Sequence, residues 1–439
     1  MDPFGAKPLF YARTAEGVRT APTIRQLLRE AGLPRALDPA AAAASLCGER
    51  AAGATLFRGI RVVPPGHELV VSVSSARPQR RWDPPLYCGD ADATTLEEAA
   101  RELWRRLRES VVTHGGCAGE PTACALSGGI DSGALLALLV EAGIPVRALI
   151  LADDFADDGE VDRARAIAAH LGLAPMVVCV SEEELPGAAV DAVRACGDMI
   201  WNGRAVASYL FYRRVAAAGA TRVLSGIGAD EVLCGHPQGL LSFMDRLGAE
   251  HDLARSLLRA GATAAVPRRG WPASPPGVDA LVWRQHLYLT TVMPDSTLPP
   301  ERSFAAAAGL DLRLPYLDPC VAEFALRLPP SLRARGATGK LVLREALRGL
   351  LPDEVRGRPK TPRLAPAGGR TARAREQWLA FYDEWLCRPR VEALRIVEPG
   401  RARALLDDYR SRSPDDSVRS VHDAVLMRLA SLAILHVES

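Results

Sequence analysis

Apolar and polar positions change rhythm twice along this chain. Up to about residue 85, short apolar runs alternate with turns. Pro8-Leu9-Phe10-Tyr11-Ala12 is strand-like, Ile24 to Ala31 carries helical spacing, and Glu68 to Ser74 alternates as a half-buried strand does. A polar, arginine-rich stretch then runs through Trp82-Asp83-Pro84-Pro85 to a linker ending near residue 94. Thr94 or Thr95 followed by Leu-Glu-Glu marks a helix start, and Leu96 to Thr113 is amphipathic. From residue 120 strands and helices alternate. Strands are predicted at Thr122–Leu126, Val146–Ala152, Met176–Val180 and Arg222–Leu224, with helices at Ser132–Gly143, Glu160–Leu171 and Ala205–Ala218. Such βαβ repetition predicts an α/β fold, a parallel sheet covered by helices on both faces. Its ligands belong at the carboxyl ends of the strands. Residues 238–439 read mostly as helix, interrupted by the proline-rich Val266–Val278 and the arginine/proline/glycine stretch 356–370.

Composition narrows the classes. At 439 residues the chain is long enough for two or three domains, and 48% hydrophobic with 24% charged residues is ordinary for a globular enzyme. A net charge of +2 gives no bulk attraction to nucleic acid or an anionic membrane. The nine cysteines are scattered without zinc spacing, which reads as reduced thiols in a cytoplasmic protein. The N-terminus lacks the basic and apolar regions of a signal peptide, and no apolar run approaches a membrane span.

Two strand ends carry the chemistry. Ala125-Leu126-Ser127-Gly128-Gly129-Ile130-Asp131-Ser132 takes an apolar run through serines and glycines into a helix. Glycines let main-chain N–H groups converge, and the helix start aims its free N–H groups and positive dipole end at the same point. No lysine follows in Walker A spacing, so the loop resembles the SGGxDS loop of the ATP pyrophosphatases. Ser225-Gly226-Ile227-Gly228-Ala229-Asp230-Glu231 repeats the device, so Asp131 and Asp230 stand at one sheet edge. Magnesium takes one or two carboxylates plus phosphate oxygens, a role these two aspartates suit.

With Gly309-Leu-Asp-Leu-Arg-Leu-Pro-Tyr-Leu-Asp318, Lys340-Leu-Val-Leu-Arg-Glu-Ala346 and Leu351 to Lys360 following in order, residues 95–435 resemble the synthetase domain of the glutamine-dependent asparagine synthetases. That family includes β-lactam synthetases, carbapenam synthetases and lasso peptide cyclases. The resemblance implies an ATP- and Mg2+-dependent, AMP-forming carbon–nitrogen ligase that adenylates a carboxylate for attack by an amine. Ser127, Gly128, Gly129, Asp131 and Ser132 would form the pyrophosphate loop, and Asp131 and Asp230 would hold magnesium. Leu149 to Leu151 and Gly226 would contact adenosine through their backbone. Lys360 would neutralise charge on the phosphates and the acyl-adenylate. Asp311 stands where the family usually has a glutamate that acts on the attacking amine, and Tyr316 replaces the usual phenylalanine.

Residues 1 to about 90 resemble part of the glutaminase domain of that family. Asp2 to Ala12 and Leu56 to His67 carry the likeness, while an N-terminal cysteine nucleophile is absent. The expected architecture is a truncated N-terminal-nucleophile remnant followed by a synthetase domain at 95–439. Three explanations stand: a longer natural chain, a second polypeptide, or a remnant that only packs. An incomplete sandwich predicts a partner protein or homodimer. Expected substrates are a small molecule or peptide bearing a carboxylate and an amine, with an intramolecular natural-product ligase ahead of an ammonia-using asparagine synthetase. A non-catalytic nucleotide-binding scaffold is the reading from a different class. The basic run from Arg356 to Arg375 reads first as a solvated stretch, with steering of ATP or an acidic leader peptide as the alternative.

Overall fold

A computed structural model of the chain describes residues 1–72, 75–87, 89, 94–116, 121–153, 159–266, 270–358, 368–414 and 416–437. Lys360 and Arg363 lie outside these residues. Strands β1 (Phe10–Thr14), β2 (Gly17–Ala21) and β3 (Ile60–Val62) form an antiparallel sheet in the order β2–β1–β3. Strands β4 (His67–Val71) and β5 (Ala76–Arg80) make a separate hairpin. Helix α1 (Ile24–Ala31) begins where the Thr23 side chain accepts the Gln26 N–H, and ends on Gly32 in the left-handed region. Helix α2 (Pro39–Leu46) is capped by Asp38. Helix α3 (Leu96–His114) opens with a capping box between Thr95 and Glu98, as the threonine-glutamate pattern predicts.

The alternating region folds as a five-stranded, fully parallel sheet. Its strands are β6 (Thr122–Leu126), β7 (Val146–Asp153), β8 (Met176–Val180), β9 (Arg222–Leu224) and β10 (Asp311–Arg313), in the order β10–β9–β6–β7–β8. Successive side chains on a strand point to opposite faces. Accordingly Ala123, Leu149 and Val223 join one apolar cluster, and Cys124, Ala148, Ile150 and Leu224 the other. Burial on both faces explains why these strands read as continuous apolar runs. The first cluster also contains Phe10, Leu27, Leu46, Phe57 and Ile60. The N-terminal strands therefore share a core with the sheet.

Helices α4 (Ile130–Glu141), α5 (Glu160–His170), α6 (Leu185–Cys196), α7 (Gly203–Ala217) and α8 (Ala229–Leu233) connect the strands or follow them. The alternation predicts all but α6 and the short α8. In α6 Pro186 sits in the first helical turn, where its missing N–H costs nothing. Beyond them lie α9 (Pro237–Leu257), α10 (Ala260–Ala265) and α11 (Ala280–Leu287). Helix α11 continues into a π-helical segment, Tyr288–Thr297, that contains Pro294. Next come α12 (Leu298–Ala307), α13 (Pro319–Arg327), α14 (Pro330–Arg333) and a small hairpin, β11 (Ala334–Arg335) with β12 (Thr338–Gly339). Helices α15 (Leu341–Ala346), α16 (Asp353–Gly357), α17 (Ala372–Trp385), α18 (Arg388–Ala393), α19 (Pro399–Ser411) and α20 (Ser417–Val437) complete the described chain. Helix α20 is long and apolar enough to cross a membrane, but 78% of its apolar window is buried inside the fold. It is a core helix here. Among the described residues the cysteines carry free thiols.

An ion pair ties the N-terminal segment to the sheet-bearing region: Arg50, just past α2, meets Asp198 through two 2.7 Å bonds. Both side chains are largely buried, so removing one strands the other. Arg50→Ala is expected to lower unfolding free energy by about 3 kcal/mol in urea titrations, and Arg50→Ala/Asp198→Ala to lose less than the two single changes summed.

Candidate active site

The first glycine turn leaves β6 and enters α4. Gly128 has φ +70, and a Cβ there would sit 2.6 Å from the Glu160 carbonyl oxygen and 3.1 Å from the Ala164 nitrogen. Only glycine fits. Helix α4 starts on Gly129 with no side-chain cap, which leaves its first-turn N–H groups to serve a ligand. Ser132 braces the loop: its hydroxyl accepts the Ser127 N–H at 3.0 Å and lies 3.1 Å from the Ser127 hydroxyl.

The second turn leaves β9 beside the first, because β9 pairs with β6. Gly226 packs on the phosphate-type loop; a Cβ there would meet Asp131 Cβ at 3.2 Å and the Ser132 nitrogen at 3.4 Å. Gly228, at φ +97, turns the chain into α8. Tyr316 donates its hydroxyl to the Asp131 carbonyl at 2.9 Å, so the phenylalanine-to-tyrosine change adds a brace under the loop. Burial drives that phenol's pKa well up, and it serves as a neutral donor.

A lysine completes the centre. Lys340 Nζ lies 2.6 Å from Asp131 Oδ2 and 2.5 Å from Asp230 Oδ1, with its side chain 1% exposed. Both carboxylates thus reach one point, which is the arrangement a divalent cation sharing them requires. Among the described residues no group of three or more metal-ligating side chains exists. A magnesium ion here would draw on Asp131 and Asp230 and complete its shell with phosphate oxygens and water. Lys340 adopts φ +58 at the start of α15, after the β11–β12 hairpin. Two glycines make room: a Cβ on Gly235 would overlap Asp230 Oδ1 and Lys340 Cε, and one on Gly339 would overlap the Cys234 carbonyl. Behind the centre, Arg333 donates to Gln285 Oε1 at 2.6 Å, and the Gln285 amide donates to the Glu231 carbonyl. That relay joins the lysine hairpin to the Asp230 turn.

These residues line a cleft of about 820 Å³ that includes Ser127, Gly128, Gly129, Asp131, Asp230 and Lys340. Arg163, Arg344 and Arg358 surround its phosphate-loop end. Leu149, Leu151, Gly226 and Ser132 are not among the residues that line this cleft. Asp311 is not brought to the cleft. It pairs with Arg222 at the amino end of β9, whereas both glycine turns lie at carboxyl ends. Burial works to raise its pKa, but hydrogen bonds from Arg313 at 2.6 and 2.8 Å, with Arg222 at 3.3 Å, hold it below the usual value. Asp311 is a salt-bridged strand residue in this geometry. Within the basic run Arg358 reaches the cleft, Arg356 pairs with Asp353 at 2.8 Å, and Arg373 with Glu183 at 3.3 Å. His236 lines the cleft and caps α9 by accepting the Gly239 N–H at 2.8 Å.

Sequence reasoning gave Lys340 no role, although its lysine-to-glutamate motif was visible. The signal available was a lysine following Thr-Gly and opening a helix, which reads equally well as a solvated helix start.

Residues 102–435 match the asparagine synthase family. A Mycobacterium tuberculosis protein with the provisional name glutamine-hydrolyzing asparagine synthetase is 26% identical over 479 residues, covering 95% of this chain and 72% of the relative. Glutamine-hydrolyzing asparagine synthetase 1 of Bacillus subtilis is 24% identical, over 82% of this chain and 64% of its own length. The human enzyme of that name is 26% identical over 60% of this chain and 42% of its own.

Removing the lysine leaves the buried Asp131 carboxylate facing the half-exposed one of Asp230. Lys340→Met is expected to lose about 3–5 kcal/mol of stability in chelator-containing buffer, with Mg2+ restoring part of the loss and raising the melting temperature more than in the parent protein. A variant whose stability ignores Mg2+ would count against a metal shared by Asp131 and Asp230.

Proposed function

The chain belongs to the asparagine synthase family, and from that premise we propose that it is an ATP- and magnesium-dependent amide synthetase that forms an acyl-adenylate. The observation that supports this most is the meeting of Asp131, Asp230 and Lys340 beside an uncapped glycine turn at the carboxyl edge of a parallel sheet. An anion-binding helix start, two acids that suit a divalent cation and a buried ammonium form a triphosphate site. Magnesium bound there would neutralise phosphate charge and polarise the leaving pyrophosphate.

In the proposed reaction a substrate carboxylate oxygen attacks the α-phosphorus of ATP, and the bond to the bridging oxygen breaks to release pyrophosphate. An amine then attacks the acyl carbon. The acyl–oxygen bond breaks, AMP leaves, and the amine's proton passes to a base or to solvent. The turn from Ser127 to Asp131 grips the leaving phosphates through main-chain N–H groups. Lys340 places a fixed positive charge where negative charge accumulates, and Arg344 and Arg358 extend it along the wall. Lys360 is proposed as a second cation for the same charge. Amine activation is not assigned to Asp311, whose carboxylate is held by two arginines at the opposite strand end.

Free aspartate with ammonia, as the relatives' names suggest, is the second reading. An intramolecular or natural-product substrate is favoured by the cleft's continuation past the phosphate end, between α9 and α11. Pyrophosphate exchange into ATP tests the proposal directly. It should require Mg2+ and a carboxylate substrate, and Asp131→Asn or Lys360→Ala should slow it by roughly 10²–10³. A parent protein that binds ATP yet exchanges with no carboxylate would leave the scaffold reading standing.

A further inference from the structure

The seam between the N-terminal segment and the rest of the fold holds a second cavity, of about 220 Å³. Its walls come from the end of α2 and the residues after it, from Trp201 ahead of α7, from the loop around Trp271, and from the π-helical segment. It is distinct from the cleft. Arg246 and Leu247 are neighbours on α9, yet the first lines the cleft and the second this cavity. Tyr288 and Leu287 divide in the same way. One layer of helix thus stands between the two spaces.

The hydroxyls on its π-helical wall offer lone pairs rather than protons. Thr291 donates to the Leu287 carbonyl at 2.5 Å, and Ser296 to the Val292 carbonyl at 2.8 Å. Arg50 lines the cavity, but its Nε donates to Ser45 Oγ at 3.2 Å and both terminal nitrogens meet Asp198. Asp295 lines it too, and among the described residues no group donates a hydrogen bond to its carboxylate. Burial lifts its pKa to about 6, against Arg50 and Arg302, which lower it, and with Asp198 and Glu49, which raise it. Arg302 itself donates to the Gly5 carbonyl at 2.6 Å. Trp201 and Trp271 supply indole walls, and the faces of such rings attract cations. The Arg428 guanidinium already lies 4.6 Å from the Trp201 ring. The segment that supplies Thr291, Asp295 and Ser296 is π-helical, a conformation that frequently marks functional sites. A carboxylate without a hydrogen-bond donor, acceptor oxygens and aromatic walls together suit a ligand that brings positive charge and N–H groups.

We propose that this cavity binds a small organic ammonium ion, a protonated primary alkylamine whose N–H groups reach Asp295 and whose alkyl part rests against the indoles. The site is separate from the nucleotide cleft and does not depend on the amide-synthetase reading.

Calorimetry on the full chain tests this with three probes of similar size: n-butylammonium, neutral 1-butanol and butyrate. At about pH 8 n-butylammonium should bind about tenfold more tightly than either of the others. Its affinity should fall about tenfold by about pH 5, where Asp295 is mostly protonated. Asp295→Asn should remove both the preference and the pH dependence. Its melting temperature at about pH 8 should be equal or higher, because an ionised carboxylate that burial disfavours is gone. His251 stands 3.8 Å from Glu49, and the asparagine variant separates its contribution from that of Asp295. Thr291→Val should weaken n-butylammonium several-fold and leave 1-butanol unchanged. Saturating Mg2+ and ATP should not displace the ammonium; displacement would put it at the acidic centre of the cleft and overturn the inference. No measurable binding of n-butylammonium, equal binding of 1-butanol, tighter binding of butyrate, a pH-independent affinity, or an Asp295→Asn variant that binds as the parent does would each overturn it as well. All of these outcomes leave the synthetase reading untouched.

Discussion

The ammonium of Lys340, held between Asp131 and Asp230, is the interaction around which the rest of this fold is arranged. The three side chains come from widely separated parts of the chain, and each arrives with its own constraint. Asp131 must follow a turn that only Gly128 can make, because Glu160 and Ala164 crowd it. Asp230 must follow a glycine in the left-handed region. Lys340 itself takes φ +58, which costs a non-glycine residue on the order of 1–3 kcal/mol. Gly235 and Gly339 surrender their side-chain space to it. Local strain of this kind persists only where the surroundings over-determine it. Here the Arg333–Gln285–Glu231 relay and the Tyr316 hydroxyl supply that determination from below.

The same interaction sets the cleft's electrical character. Two carboxylates that meet at one point suit a divalent cation. Arg163, Arg344, Arg358 and Arg246 line the cleft together with Glu160 and Glu231. Carboxylates that suit a metal ion, with arginines on the same walls, suit a metal-bound polyanion. Neither a single glycine turn nor a net charge of +2 would convey this pattern. Total charge says nothing about how signs are sorted along a cleft.

Much of the fold was legible because its signals are local. Glycine turns at strand ends, a capping box at Thr95 and Glu98, and apolar runs buried on both faces each follow from neighbours in sequence. The βαβ alternation places both turns at one edge without knowledge of any contact. What escaped is non-local or directional. Lys340 looks like an ordinary helix start, and only the tertiary fold carries it to the two aspartates. Asp311 lies in a recognisable motif, but strand direction decides which edge it reaches, and β10 begins at the wrong one. Lys360 carries a role from sequence likeness alone, since it lies outside the described residues. Helix α6 has no counterpart among the elements predicted from the sequence.

Helix α20 shows how a buried core element reaches into the chemistry. Its length and hydropathy are those of a membrane span, yet Asp423 and Arg428 on it are matched inside the protein. Asp423 accepts the hydroxyls of Tyr382 and Tyr409, each at 2.9 Å, while burial lifts its pKa to about 6. Arg428 takes Glu250. In a bilayer such groups would need partners from neighbouring helices; here the partners belong to α17, α19 and α9. The Arg428 contact has a consequence beyond packing. Glu250 of α9 meets both Arg428 of the core helix and Arg246, which lines the cleft. One buried carboxylate thus ties the core to the cleft wall, and removing it would strand a buried guanidinium, the costly way to break such a pair.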